Sequence, residues 1–106
     1  MSATGELVAP DVESQTEQVL KNIASILEAA GSSLEHVLRC GVFLTDISEF
    51  KRMNAVYARM FGKNRPARTT VEVSALPRPG LRVEIDAVAC IPRPVRKRRS
   101  RRRGAR

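Results

Sequence analysis

The sequence predicts a single α+β domain in which two helices cover one face of a mixed β-sheet. A length of 106 residues fits one domain. Two segments carry apolar residues at three- and four-residue steps, as amphipathic helices do. Three others are rich in branched residues or alternate with period two, as strands do. The predicted order is a short extended start, helix, strand, helix, strand, strand.

The first helix is predicted from Val12 to Ala30. Asp11 offers a side-chain acceptor to the first turn, and Gly31 supplies the left-handed residue that commonly ends a helix. Both boundaries therefore have a physical cause.

The second helix is predicted to begin after Asp46 and to end at Gly62. Asp46 with Glu49 three positions later resembles a capping box. Asn54 lies on the same helical stripe as three aromatic residues, and a buried amide must find hydrogen-bond partners. A structural tie to the backbone or to a neighbouring subunit is expected for Asn54, with direct ligand contact as the alternative.

The first strand is predicted from Val37 to Thr45, and two more are predicted after Pro66. Val71 and Val73 alternate with polar residues, and the same pattern resumes at Val83 and Ile85 after a Pro-rich turn. If these last two strands pair as a hairpin, one face is apolar and the other polar.

The polar face of this predicted hairpin carries the first candidate site. With residue 73 opposite residue 83, Glu84 would lie roughly 13 Å from Arg68 along the strand direction, near enough for both to hold a small ligand. The alternative is a solvated face whose charges balance. The residues predicted to share this face are Arg68, Thr70, Glu72, Arg82, Glu84 and Asp86.

The basic charge belongs to the C-terminal segment. Residues 92–106 hold nine of the 19 basic residues and no acidic one, which leaves 10 basic and 11 acidic residues, a formal charge of −1, in residues 1–91. We predict a folded domain over 1–91 and a disordered Arg-rich tail over 92–106. The tail is either a solvated extension or a patch that binds nucleic acid.

Several classes of chemistry find little support in the sequence. Cys40 and Cys90 have no metal-ligand spacing, and His36 is the single histidine, so no metal site is predicted. Both thiols are expected to be small core residues, with a redox role as the alternative. No apolar run is long enough to cross a membrane, and the N-terminal residues lack a signal-peptide pattern, so we expect a soluble cytoplasmic protein.

Several segments in combination resemble the RidA/YjgF family of reactive intermediate deaminases. The most specific are the Pro-Ala-Arg run at 66–68, the Leu-Pro pair at 76–77 and the Val-Glu-Ile-Asp-Ala-Val-Ala run at 83–89. Supporting matches are Thr4 to Val8, Gln18, Leu20, Asn22, Ile23, Ala29 to Gly31, Phe43, Asp46, Phe50, Asn54, Tyr57 and Val73. The resemblance covers residues 4 to about 90.

The resemblance implies a chorismate-mutase-like fold, a homotrimer and small-molecule clefts between subunits. It implies hydrolysis of 2-imino acids or their enamine tautomers, such as 2-iminopropanoate and 2-iminobutanoate, to 2-oxo acids and ammonia. No metal or organic cofactor is implied.

The same resemblance assigns roles to individual residues. Arg68 would hold the substrate carboxylate through two parallel hydrogen bonds, which Lys cannot reproduce. Glu84 would orient or deprotonate the attacking water, and Thr70 would contribute a hydroxyl where many relatives carry Cys. Asn54 is a further candidate for substrate binding.

Two features depart from the family pattern. Relatives begin with two more strands, so we expect this chain to be an N-terminally truncated member, and the Arg-rich tail is foreign to the family. Imine deamination is therefore weighed against two alternatives. These are a nucleic-acid-associated protein that uses the tail, and a module that binds a metabolite without turnover. The open sheet face also suggests that self-association completes the core.

Overall fold

The computed structural model describes residues 9–93. The Thr4 to Val8 run and the part of the predicted tail beyond Arg93 lie outside the described residues. The structure contains two helices, α1 (Val12–Ala29) and α2 (Phe50–Phe61), and three strands, β1 (Val37–Leu44), β2 (Ala67–Glu72) and β3 (Val83–Ala89). The predicted α+β class is confirmed.

The helix ends form as the sequence predicts. The Asp11 side chain accepts a hydrogen bond from the Ser14 amide at 2.9 Å, and Gly31 adopts a φ of 89° just beyond α1. The second helical segment begins with a short 3-10 turn, Ile47–Glu49, capped by Asp46. The predicted capping box does not form, because the Asp46 side chain accepts from the Ser48 amide instead of the Glu49 amide, and the Glu49 side chain accepts from Arg82.

The central strand of the sheet is β1, in the order β2-β1-β3. β1 runs parallel to β2 and antiparallel to β3. The helix α2 connects the two parallel strands, as such a pair requires. The predicted hairpin is therefore wrong, because β1 lies between the last two strands and the loop from residue 73 to 82 crosses over its end.

The helices pack on one face of this sheet, here called the helix face. On β1 that face carries the fully buried Cys40, Val42 and Leu44. Val83 and Ile85 of β3 pair with Leu44 and Val42, so they face the same core. Leu20 of α1 and Met53, Tyr57 and Phe61 of α2 complete the cluster.

The predicted distribution of side chains is right for β3 and wrong for β2. Arg68 and Thr70 pair with Cys40 and Val42, which places them on the helix face with Val83 and Ile85. Val71 lies on the other side and is 40% exposed. Glu72 also belongs to the helix face, where it accepts a hydrogen bond from the Ile47 amide at 2.7 Å. The polar side chains of β2 find partners on the helix face, because Asn54 of α2 accepts from Arg68 and the Ile47 amide donates to Glu72.

The opposite face, here called the open face, carries no helix in the described part of the chain. Its members are Arg39, Gly41, Phe43, Ala67, Thr69, Val71, Glu84, Asp86 and Val88. Asp86 accepts a hydrogen bond from the Gly41 amide at 2.8 Å and lies 3.8 Å from the Arg39 guanidinium. A Cβ at Gly41 would approach the Asp86 carboxylate to 2.7 Å, so this position suits glycine.

A buried glutamine joins α1 to the loop that leads into β3. The Gln15 amide nitrogen donates to the carbonyls of Ala9 and Gly80, both at 2.9 Å, and its oxygen accepts from the Arg82 amide at 2.7 Å. Gln15 is fully buried, so these three hydrogen bonds replace lost water. The loop conformation thus depends on one side chain.

We predict that Gln15→Ala lowers the free energy of unfolding by about 2 to 4 kcal/mol, because it leaves buried backbone groups without partners. Gln18→Ala is the matched control, because Gln18 bonds to Asn22 along the helix surface, and it should change stability by less than about 0.5 kcal/mol. Chemical denaturation measures both variants. Equal stabilities for the two would contradict the role given to Gln15.

Candidate functional site

Arg68 lies against one flank of α2. Its guanidinium carbon stands 4.6 Å from the centre of the Tyr57 ring and 5.2 Å from that of Phe50. Stacking on aromatic faces is characteristic of guanidinium groups. Arg68 has no carboxylate partner among residues 9–93, so its charge is not neutralised there.

Asn54 fixes the Arg68 side chain through a hydrogen bond. The amide oxygen of Asn54 accepts from an Arg68 terminal nitrogen at 2.5 Å. The partner of Asn54 is thus a side chain of the same chain and not the backbone or the neighbouring subunit that the sequence analysis expected. With its oxygen used, Asn54 retains an NH₂ group that can donate to a ligand.

A cavity of about 280 Å³ opens beside these residues. It is lined by Asn54, Tyr57, Ala58, Arg65, Pro66 and Arg68. None of these lining residues is acidic, and two are arginines. The polar groups that line the cavity therefore favour an anion.

Two hydroxyl groups lie buried near the same flank of α2. Burial raises the pKa of Tyr57 well above its usual range, so the phenol stays neutral. Thr70 follows Arg68 on the helix face of β2, but it does not line the cavity. The Tyr57 hydroxyl is buried beside the Cys40 thiol, and the Thr70 hydroxyl is buried without a hydrogen-bond partner within residues 9–93.

Glu84 lies far from Arg68 within one chain. It pairs with Phe43 on the open face, whereas Arg68 lies on the helix face. The two strands are separated by β1, so their backbones are roughly 10 Å apart. The predicted shared face is thus wrong, and a single chain does not bring Arg68 and Glu84 around one small ligand. The Glu84 carboxylate has no hydrogen bond or ion pair with another residue in 9–93.

The two cysteines occupy different environments. Cys40 is fully buried and burial raises the pKa of its thiol, which agrees with a core role. Cys90 is exposed, which contradicts the expectation that both thiols are buried, because β3 has already ended at Ala89. Its amide donates to the carbonyl of His36 at 3.0 Å, a contact between main-chain atoms only.

The same part of the chain contains neither a metal-ligand cluster nor a membrane-spanning helix. Within residues 9–93 no three His, Cys, Asp or Glu side chains are grouped closely enough to hold a metal ion. Neither of the helices there combines the length and the apolar character that a membrane span requires.

The fold and the cavity together define a small α+β domain with an arginine-lined site suited to an anion. The sequence model of the Endoribonuclease L-PSP family matches residues 1–91. The chain belongs to this family, which is the RidA/YjgF family that the sequence resembles.

Three relatives bear on function. A RutC family protein of Pyrococcus horikoshii is 54% identical over 86 residues, which are 81% of this chain and 68% of the relative. The 2-iminobutanoate/2-iminopropanoate deaminase of Homo sapiens is 42% identical over 87 residues, 82% of this chain and 63% of the relative. The crystal structure of E. coli TdcF with bound serine superposes with a TM-score of 0.74 at 37% identity, covering 81% of this chain and 68% of that one.

The chain thus spans about two thirds of the length of these relatives. Arg65 is the cavity residue that the sequence analysis missed. A second arginine three positions before Arg68, on the same loop-to-strand junction, was the available signal.

Proposed function

We propose that this protein is a hydrolase that deaminates reactive 2-imino acids, including 2-iminopropanoate and 2-iminobutanoate, to 2-oxo acids and ammonia. The observation that carries the proposal is the Arg68 guanidinium, held by Asn54 and two aromatic rings and lacking a carboxylate partner in residues 9–93. The name of the human relative and the serine complex of E. coli TdcF support it, since both concern small molecules of the amino-acid class. Free cysteines are in keeping with a cytoplasmic location.

In this proposal Arg68 binds the substrate carboxylate. The guanidinium is a planar fork that can donate two parallel hydrogen bonds to one carboxylate. Its contacts with Asn54 and Tyr57 already restrict its motion, so less conformational entropy is lost on binding. The substrate is then oriented with its imine carbon at a defined distance from the clamp.

Glu84 would act on the water. Its carboxylate accepts a proton as the water oxygen bonds to the imine carbon and the π electrons move to nitrogen, which takes up a proton. The amino nitrogen then takes up a second proton, the carbon–nitrogen bond breaks and ammonia leaves, while the hydroxyl gives its proton to Glu84 and becomes the carbonyl of the 2-oxo acid. Both protons of the water thus end on the ammonia nitrogen. Thr70 is retained as a candidate for a hydroxyl contact. No step requires a metal or organic cofactor.

Arg68 and Glu84 lie on opposite faces of the sheet, so the proposal requires more than one copy of the chain. A site that uses both residues needs Arg68 from one copy and Glu84 from another. The open face offers a surface for such assembly, because Val71 and Val88 are 40% and 51% exposed there. We therefore propose a homo-oligomer, a trimer by family resemblance, with the site between subunits.

Substitutions at the two residues test the chemistry. Arg68→Lys keeps the charge but loses the planar fork, so it should lower kcat/KM almost as much as Arg68→Ala, roughly 10- to 150-fold. Glu84→Gln should lower kcat more than it raises KM, because it removes the proton acceptor and leaves the clamp. The assay generates 2-iminopropanoate with an amino-acid oxidase and follows pyruvate formation.

The same assay is run on a version extended by the two N-terminal strands of a relative. Unchanged acceleration in Arg68→Ala would overturn the carboxylate clamp. If the chain and its extended version both bind a substrate analogue but neither accelerates imine hydrolysis, the protein is a metabolite-binding module.

Mixing two inactive variants tests the quaternary requirement. When Arg68→Ala and Glu84→Gln subunits are dissociated together and reassembled, random exchange gives some interfaces with both native residues. Activity should return to about a quarter of the wild-type value, because each site draws one residue from each of two subunits. Separately reassembled variants are the controls. No recovery despite exchange verified by native mass spectrometry would show that both residues act from one chain.

A second candidate function is nucleic-acid binding through the tail. The specific observation is the accumulation of nine basic residues in 92–106 beside a domain of formal charge −1. The matching family carries the description endoribonuclease, which names the same class of ligand.

Deletion after Ile91 separates this candidate from the first. We expect the deletion to abolish any salt-dependent RNA binding and to leave imine hydrolysis unchanged, because phosphate contacts need clustered cations. Electrophoretic mobility shift at several salt concentrations is the measurement. RNA binding that survives the deletion would assign it to residues 1–91.

A further inference from the structure

The cavity beside Arg68 contains a second unneutralised cation. Arg65 lines the same cavity, and its Nε donates to the carbonyl of Gly62 at 3.1 Å. The terminal nitrogens of Arg65 form no ion pair within residues 9–93, because no carboxylate there lies within salt-bridge distance. Two guanidinium groups thus meet one cavity with nothing to balance them.

The remaining polar groups of the cavity reinforce this character. Asn54 has its oxygen bound to Arg68 and presents only donors. Tyr57 contributes an uncharged aromatic ring to the lining, because its hydroxyl is buried beside Cys40. A ligand with one carboxylate would satisfy Arg68 and leave the Arg65 charge alone in the cavity.

We infer that Arg65 is a specificity residue for a second acidic group, so that the site accepts 2-imino dicarboxylic acids. This inference rests on the proposed function, because it takes Arg68 as the clamp for the carboxylate next to the imine carbon. Arg65 binds the distal carboxylate of a four- or five-carbon substrate. The reaction is unchanged: water adds to the imine carbon, the carbon–nitrogen bond breaks, and ammonia leaves.

Chain topology holds Arg65 in place for this task. Pro66 follows it with a fixed φ and also lines the cavity, and β2 begins at Ala67. The tie to Gly62 anchors the start of the side chain to the end of α2. Arg65 therefore lies between two rigid elements, while its terminal nitrogens stay exposed enough to meet a ligand.

The first experiment compares binding of two four-carbon probes, succinate and butanoate, by calorimetry on the intact protein. Succinate should bind roughly 5- to 50-fold more tightly, and Arg65→Gln should remove that difference. Arg78→Gln is the matched control, since Arg78 is exposed and lines a different cavity. Raising the salt concentration should weaken the binding of succinate more than the binding of butanoate.

The second experiment measures turnover. The imines of aspartate and alanine are generated with the corresponding oxidases, and formation of oxaloacetate and pyruvate is followed. Arg65→Gln should lower the ratio of kcat/KM for the dicarboxylic imine to kcat/KM for 2-iminopropanoate roughly 5- to 50-fold.

The outcomes separate this inference from the proposed function. If no imine is hydrolysed faster than in buffer but succinate preference still depends on Arg65, the proposed function fails and the dicarboxylate site stands. The dicarboxylate site would be overturned if succinate and butanoate bind equally well or do not bind at all. It would also be overturned if Arg65→Gln and Arg78→Gln change the preference for succinate by the same factor.

Discussion

The position of β1 between a parallel and an antiparallel neighbour determines on which face of the sheet the candidate residues Arg68 and Glu84 lie. Because paired residues on adjacent strands share a face, the register assigns Arg68 to the side of Cys40 and Glu84 to the side of Phe43. A slip of one residue on β3 would move Glu84 to the helix face and expose Val83 and Ile85, and a slip on β2 would move Arg68 to the open face. Because Val83 and Ile85 are buried in the core, Glu84 between them lies on the open face.

The second determinant is the contact of α2 with the edge strand β2. Tyr57 and Phe50 provide ring faces for the Arg68 guanidinium, and Asn54 orients it. A guanidinium over two rings keeps its charge while much of its surface is covered, which a Lys ammonium does less well. The helix thus supplies both part of the core and the support for the arginine of the candidate site.

Local signals in the sequence predicted most of the elements. Asp11, Gly31 and Gly62 mark helix ends because capping and left-handed φ depend on the residues themselves. Alternation could not show whether β2 and β3 are neighbours. The pattern is the same for two adjacent strands and for two strands with a third between them. The resemblance identified Arg68 and Glu84, but their placement on opposite faces, and the contribution of Arg65 to the cavity, depend on that tertiary pairing.

The central claim is that a complete site draws Arg68 and Glu84 from different copies. A crystal structure of the assembled protein with bound 2-oxobutanoate tests it most directly. The account predicts the ligand carboxylate on the Arg68 guanidinium of one copy, with the Glu84 carboxylate of a neighbouring copy next to the carbonyl carbon. A ligand held by Arg68 and Glu84 of the same chain, or one bound away from Arg68, would contradict it.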